Sequence, residues 1–262
     1  MTALPKFFYD NRLLDAAVSA SSTATGNYAP ANVNDMRPYT WWMGSAMPAN
    51  LTVNCGSANA ANYALVYGHD LFTQGATCEV RGSTDNFASS NNLVASNTPA
   101  DNNPFLIEFG SVSYQYWRLN FTGSTNPSIA IALIGTEFVM PVGLPFGFDP
   151  IGRMASLQAN NNENGQPLGK VIDFEQWSQT LKFAGVTQSW MRSTFLPAWK
   201  SNLRGQPFVF GWDTGDYPAE IYLCSAGTGS VSGSSDAPGF TAVHDLPTTG
   251  DLVFDINGVM AP

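Results

Sequence analysis

The chain has 262 residues, 44% of them apolar, which is enough for one large β domain or two domains of ordinary size with real cores. Only 12% are charged, the net charge is −9 and no run of Lys or Arg occurs, so neither nucleic-acid binding nor adhesion to an anionic membrane surface is expected. No apolar stretch reaches bilayer-spanning length, and residues 1–10 lack a basic start leading into a long apolar run, so neither membrane insertion nor a signal peptide is expected.

Cys55, Cys78 and Cys224 are odd in number and far apart. Neither a disulfide framework nor a CxxC metal site is on offer, and they read as small buried apolar residues in strands.

In chain order, residues 51–55 (LTVNC) alternate with the period of two of a half-buried strand. Further short strands follow at 63–67, 77–81, 105–109, 116–121 and 129–134, separated by clusters of Gly, Asn, Ser and Pro. Such spacing predicts an antiparallel sandwich. Residues 140–150 (MPVGLPFGFDP) hold three prolines and two glycines and predict a domain junction.

Beyond it, 153–158 predicts a strand, 160–165 (NNNENG) a turn, and 170–184 one or two more strands. The helix candidate is 189–202, where Trp190, Phe195 and Trp199 recur at near-helical spacing. Pro197 inside it is expected either to break the first turns or to mark where the helix starts. Segments 206–212, 220–224 and 250–259 read as strands, and the Gly/Ser-rich 225–235 as a flexible loop.

A series of segments in the first region carries a family pattern: 18–22 (VSASS), 32–42 (NVNDMRPYTWW), 50–56, 66–68 (VYG), 76–87 (ATCEVRGSTDNF), 114–121 (YQYWRLNF) and 129–138. In order and spacing it resembles discoidin-like (coagulation-factor C-type) modules over about half of the chain. The resemblance implies an eight-stranded galactose-binding-like jelly roll whose loops at one end bind sugars, lipids or proteins. Many such modules tie their ends with a disulfide, and the cysteines here are not placed for one; confinement to a cytoplasm before assembly accounts for that.

The second region is similar to distal tail proteins of long-tailed phages, in which a helix precedes an RG.PF.F.W segment, here 203–212 (LRGQPFVFGW), then an acidic turn and a strand, here 213–222 (DTGDYPAEIY). The expected architecture is mainly β. A galactose-binding-like jelly-roll β-sandwich spans 1–140, and a second β-rich domain with one packed α-helix spans 141–262. The N-terminal strand belongs to either.

Sugar recognition pairs an aromatic face, which covers the C–H side of a ring, with polar groups that fix its orientation. The loop end implied by the resemblance supplies Arg37, Tyr39, Trp41, His69, Asp70, Asp85 and Phe87, with one of Trp41 and Trp42 expected in the core. The resemblance also implies a structural Ca2+ near Asn34, Asp35 and Thr40, against the plain alternative of an Asx turn with no ion; no other cofactor is expected. In the second region Trp190, Trp199, Phe208, Phe210, Trp212 and Tyr217 form either a dense core under the helix or a subunit interface.

Catalytic constellations are missing. The two histidines, His69 and His244, fall in different regions, His69 in an expected turn, and no Gly-x-Ser-x-Gly elbow accompanies them. Glu79, Asp85, Asp101 and Glu108 include no pair set apart for glycoside hydrolysis, and 143–148 (GLPFGF) lacks the lysine of a phosphate loop. No enzyme is expected. The expected role is a structural tail-tip component of a phage virion, made in the host cytoplasm. It would form a homo-oligomeric ring of six or three and present its module to other tail proteins or to host surface glycans. The alternative is a stand-alone carbohydrate-binding protein.

Overall fold

A computed structural model describes residues 4–145, 148–150, 152, 154–227, 238–243 and 246–259. Its strands in chain order are β1 (Lys6–Phe8), β2 (Ser19–Ala20), β3 (Trp42–Met43), β4 (Ala49–His69), β5 (Thr77–Ser83), β6 (Asn92–Asn97), β7 (Phe105–Thr122), β8 (Ser128–Gly135), β9 (Phe138–Val139), β10 (Met154–Asn161), β11 (Pro167–Thr187), β12 (Phe208–Gly211), β13 (Ile221–Ala226), β14 (Gly239–Val243) and β15 (Leu246–Val259). The expected loop at 225–235 lies largely outside the described residues, as does His244.

The first sheet runs β3-β8-β4-β7-β5-β6, with β2 on β4. Every expected strand of this region is present, but four are fused: 51–55 and 63–67 are parts of β4, and 105–109 and 116–121 are parts of β7. Between these parts the pairing slips, once between Asn54 and Asn59 and again between Ala61 and Tyr63. Gly56, Ser57 and Ala58 there are exposed and small or polar, so their sequence reads as a break. The two bent strands wrap the sheet around one core. In it Leu51 and Val53 meet Ala64 and Val66, together with Trp42, Trp117, Phe121, Ile129 and Ile134. The result is a β-sandwich.

The second sheet runs β10-β11-β15-β13-β12-β1-β9, with β14 on β15. The N-terminal strand therefore joins this sheet, lying between β12 and β9. Residues 170–184 belong to one strand, β11, which pairs with β10 through its first part and with β15 from Gln176 onward.

A helix over 188–203 packs on this sheet. The Thr187 side chain caps it by accepting from the Trp190 amide. Pro197 does not break it: it lies in the α-helical turn Leu196–Ala198, between the π-wound segments Met191–Phe195 and Trp199–Leu203. The buried residues Met191, Phe195, Trp199 and Leu203 recur every four positions. On a helix of about 3.6 residues per turn such a row drifts around the axis, and the wider π turns return it to one face. Phe195 and Trp199 then meet Phe254 of β15 at 5.3 and 5.1 Å between ring centroids.

This packing corrects the interface expectation. Trp199, Phe208 and Phe210 are buried in the core under the helix and have no surface to offer a neighbour. Trp190 is half-buried against Phe138 and Phe195. Trp212 stacks on Tyr217 at 5.1 Å and donates its indole N–H to Glu220. Of the six, Tyr217 alone is exposed, at 49%.

The two sheets share a wall. In β4, Ala64 and Val66 face the sandwich core, while Tyr63, Leu65 and Tyr67 face outward. The outward set, with Ala130, Ile131 and Leu133 of β8, packs against Phe8 of β1, Val209 of β12, and Ile221 and Leu223 of β13. The Phe8 and Tyr63 rings are 4.8 Å apart. At the margin of this wall Lys6 pairs with Glu108 and, at 3.0 Å, with Glu137, while the Thr214 hydroxyl donates to Glu108. We expect Phe8→Ala to lower the unfolding free energy by about 3–5 kcal/mol in urea titrations, the range for deleting a buried ring. A loss below about 1 kcal/mol would mean that the wall is not what joins the sheets.

Candidate functional site

The loops 35–41, 70–76, 98–104 and 123–127 meet at the end of the sandwich where β4 finishes. Hydrogen bonds tie three of these loops, 70–76, 98–104 and 123–127, to one another. Thr73 and Asn102 bond twice, the Thr73 amide donating to Oδ1 and the Asn102 amide to the Thr73 hydroxyl at 2.7 Å. The Thr125 hydroxyl donates to the Gln74 carbonyl at 2.7 Å. Between the loops lies a pocket of about 340 Å³ lined by Pro38, Trp41, Gly68, His69, Asp70, Asn102 and Ser128.

Gly68, His69 and Asp70 each have a local reason for their place. Gly68 takes φ 65°, and a Cβ there would sit 2.9 Å from that of Ala130, so the strand end accepts only glycine without strain. His69 is the last residue of β4 rather than part of a turn. Its Nδ1 accepts from the Leu71 amide, which leaves Nε2–H to donate to the Asn103 carbonyl at 2.8 Å. Burial pushes this imidazole below its usual range, against smaller opposing effects of the Asn103 carbonyl, Asp70 and Asp101. Asp70 accepts from the Ser128 amide at 2.7 Å, the Ser128 hydroxyl at 3.0 Å and the Gln74 amide at 3.0 Å, pinning the start of β8 to the end of β4.

Trp42 is fully buried, whereas Trp41 is 41% exposed at the pocket and Tyr39, two residues before it, is 66% exposed. Phe72, on the loop that follows Asp70, is 54% exposed. Sequence reasoning missed Pro38, Asn102, Ser128 and Phe72. Nothing local distinguishes them, since only the meeting of the loops makes them neighbours.

Asp85 and Phe87 do not belong to this site. Their loop leaves the far end of β5: Thr77 pairs with Thr122 near the pocket, but Ser83 pairs with Tyr116. Six steps of about 3.3 Å place it roughly 20 Å away. There Asp85 caps its own turn, accepting from the amides and hydroxyls of residues 83–90, and those bonds, led by the Ser89 hydroxyl, lower its pKa. Phe87 lies under the Arg118 guanidinium, 3.7 Å from ring centroid to Cζ.

The cation loop is likewise divided. Asp35 accepts from the Arg37 amide at 2.9 Å and the Thr40 hydroxyl at 2.8 Å, an Asx turn. The Asn34 amide instead donates to the Leu13 carbonyl, away from that turn. Among the described residues no group of three or more His, Cys, Asp or Glu is placed to hold a metal ion.

A larger cavity of about 490 Å³ lies at the junction of the two sheets, lined by Tyr9, Asp10, Asn11, Leu14, Thr136, Glu137, Phe138 and Asn202. Its carboxylates are committed to the joint, Asp10 to Arg12 and the Thr136 amide, Glu137 to Lys6. The smaller pocket is therefore the better candidate. Glu79 and Glu108 also serve structure: Glu79 holds Arg81 and Asn120, and Glu108 holds Lys6. No helix among the described residues is long and apolar enough to cross a membrane.

The sequence matches no family model and no curated protein. Solved structures similar to part of it include chitosan-binding module 1 of a chitosanase/glucanase from Paenibacillus sp. IK-5, at 20% identity and a TM-score of 0.41, over 48% of this chain and 98% of that one. A CBM32 module from Clostridium perfringens, in complex with GalNAc-beta-1,3-galactose, shows 15% identity and a TM-score of 0.41, over 48% and 99%. A CBM32 in complex with 4,5-unsaturated mannuronic acid shows 23% identity and a TM-score of 0.39, over 48% and 96%. Likenesses of this size carry no function across, and what this end of the sandwich can bind is set by its own side chains.

The His69 environment has a measurable consequence. Its folded pKa lies below the unfolded one, so its contribution to stability is fully present above about pH 6.5 and is lost as pH falls through the folded value. We expect an NMR titration to show the Nε2–H tautomer with a midpoint below about 6.5. A midpoint at or above that value would contradict the buried, doubly bonded ring.

Proposed function

We propose that this chain is a binding protein without turnover that takes a glycan at the end of β4, with Trp41 as the platform. One observation carries the proposal: a partly exposed indole borders a pocket whose polar groups are already held in place. The apolar C–H face of a sugar ring packs on such an indole, while its hydroxyls meet Asp70, Asn102 and Ser128. Because neighbouring loops fix these groups, little ordering remains to be done on binding.

A second reading, a ring-forming tail-tip component of a phage virion that displays this module to other tail proteins or host glycans, is favoured by one further feature. Among the described residues only β10 pairs with the first part of β11, so these strands form a two-stranded arm. On it Leu168, Val171 and Ile172 are each more than half exposed. Two-stranded ribbons are marginal alone in water, and exposed apolar side chains on both faces of one suit a partner that encloses it.

On a glycan array, Trp41→Ala should weaken the strongest interaction at least tenfold, about 1.4 kcal/mol, while Phe87→Ala at the opposite end leaves it unchanged. Equal losses in both variants would sink the assignment of the site. Light scattering across a concentration series should show a ring of three or six subunits that Val171→Lys with Ile172→Lys reduces to monomer. A wild-type chain that stays monomeric throughout would leave the stand-alone binding protein.

A further inference from the structure

Resting on the glycan reading of this pocket, we infer that the site takes uncharged sugar units, hexoses or N-acetylhexosamines, and rejects uronic and other acidic sugars. The bonding capacity left over in the pocket carries the inference. A carboxylate has about four acceptor positions. Asp70 has filled three of them with the Ser128 amide, the Ser128 hydroxyl and the Gln74 side chain, which leaves one. Ser128 has given its hydroxyl proton to Asp70, so it meets a ligand as an acceptor. Both nitrogens of His69 are taken by backbone groups of its own chain. Asn102 has spent one N–H and one lone pair on Thr73, leaving one of each.

Acceptors thus outnumber donors at the pocket, and the ligand must bring protons to share. Sugar hydroxyls and an acetamido N–H do that. A uronate carboxylate is an acceptor only; among the lining side chains it would find one Asn102 N–H and the Trp41 indole N–H, and it would face the Asp70 charge. The surroundings have the same sign. The four loops contain three carboxylates, Asp35, Asp70 and Asp101, against one guanidinium, Arg37. An ammonium gains little by comparison, because three protein donors already satisfy Asp70.

The test uses the full chain and its Trp41→Ala variant, checked for an unchanged far-UV spectrum, titrated calorimetrically with three groups of polymer. The uncharged group is galactan, mannan and N-acetylglucosamine oligomers; the acidic group is polygalacturonate and alginate; the cationic one is deacetylated chitosan. We expect binding confined to the uncharged group and weakened at least tenfold in Trp41→Ala. Affinity should change less than about twofold between ~0.05 and ~0.5 M NaCl, since no charge pair forms. Trp41-dependent binding of polygalacturonate, alginate or chitosan would overturn the ligand class and leave the site standing. No binding by any polymer, or binding indifferent to Trp41, would overturn the site itself and this inference with it.

Discussion

In β8 and in the second half of β4 both faces are buried, and the rest of the molecule is arranged around that condition. A strand of an ordinary sandwich shows one face to the core and one to water. Here the water-facing side is covered by Phe8, Val209, Ile221 and Leu223, so the outward side chains of β4 and β8 are apolar too. Their polar atoms must then be met inside the protein. The Tyr63 hydroxyl donates to the Asp10 carbonyl, and burial raises its pKa well above the usual value. Asn11 donates to the Ala132 carbonyl and accepts from the Ile134 amide. The short N-terminal segment thus seals the outer side of the first sheet while it completes the second.

The same condition explains the charged margin of the wall. Burial alone would lower the Lys6 pKa, but the hydrogen bonds and charges of Glu108 and Glu137 outweigh it, and the net shift is upward. Glu137 is itself pushed up by burial and by Glu108, with Lys6 acting against that. One cation thus lies between two carboxylates at the partly exposed margin of the wall.

From this joint follows the quality of the site. Gly68, His69 and Asp70 stand at the end of the strand whose outer face is buried in the wall, so the pocket is fixed relative to the second sheet. The loops around it are tied by hydrogen bonds rather than by disulfides, the three cysteines being free. The polar groups of the pocket are therefore held in place before anything enters it.

Local pattern determined the elements and their type. Period-two alternation located the strand at 51–55, short runs between turn clusters located most of the others though not β6 or β14, and the spacing of Trp190, Phe195 and Trp199 located the helix. The sequence also held His69, Asp70 and Trp41 as candidates, and these do meet. Only the tertiary structure decided the rest. Strand direction sent Asp85 and Phe87 to the opposite end, although they lie only fifteen to seventeen residues beyond Asp70 in the chain. Pairing across long separations put Lys6–Phe8 into the second sheet and fused segments that read as separate strands. The continuous apolar run in β8 was a legible sign that both its faces are covered, but it could not name the cover. Which residues become neighbours depends on contacts between distant segments, and no local periodicity encodes those.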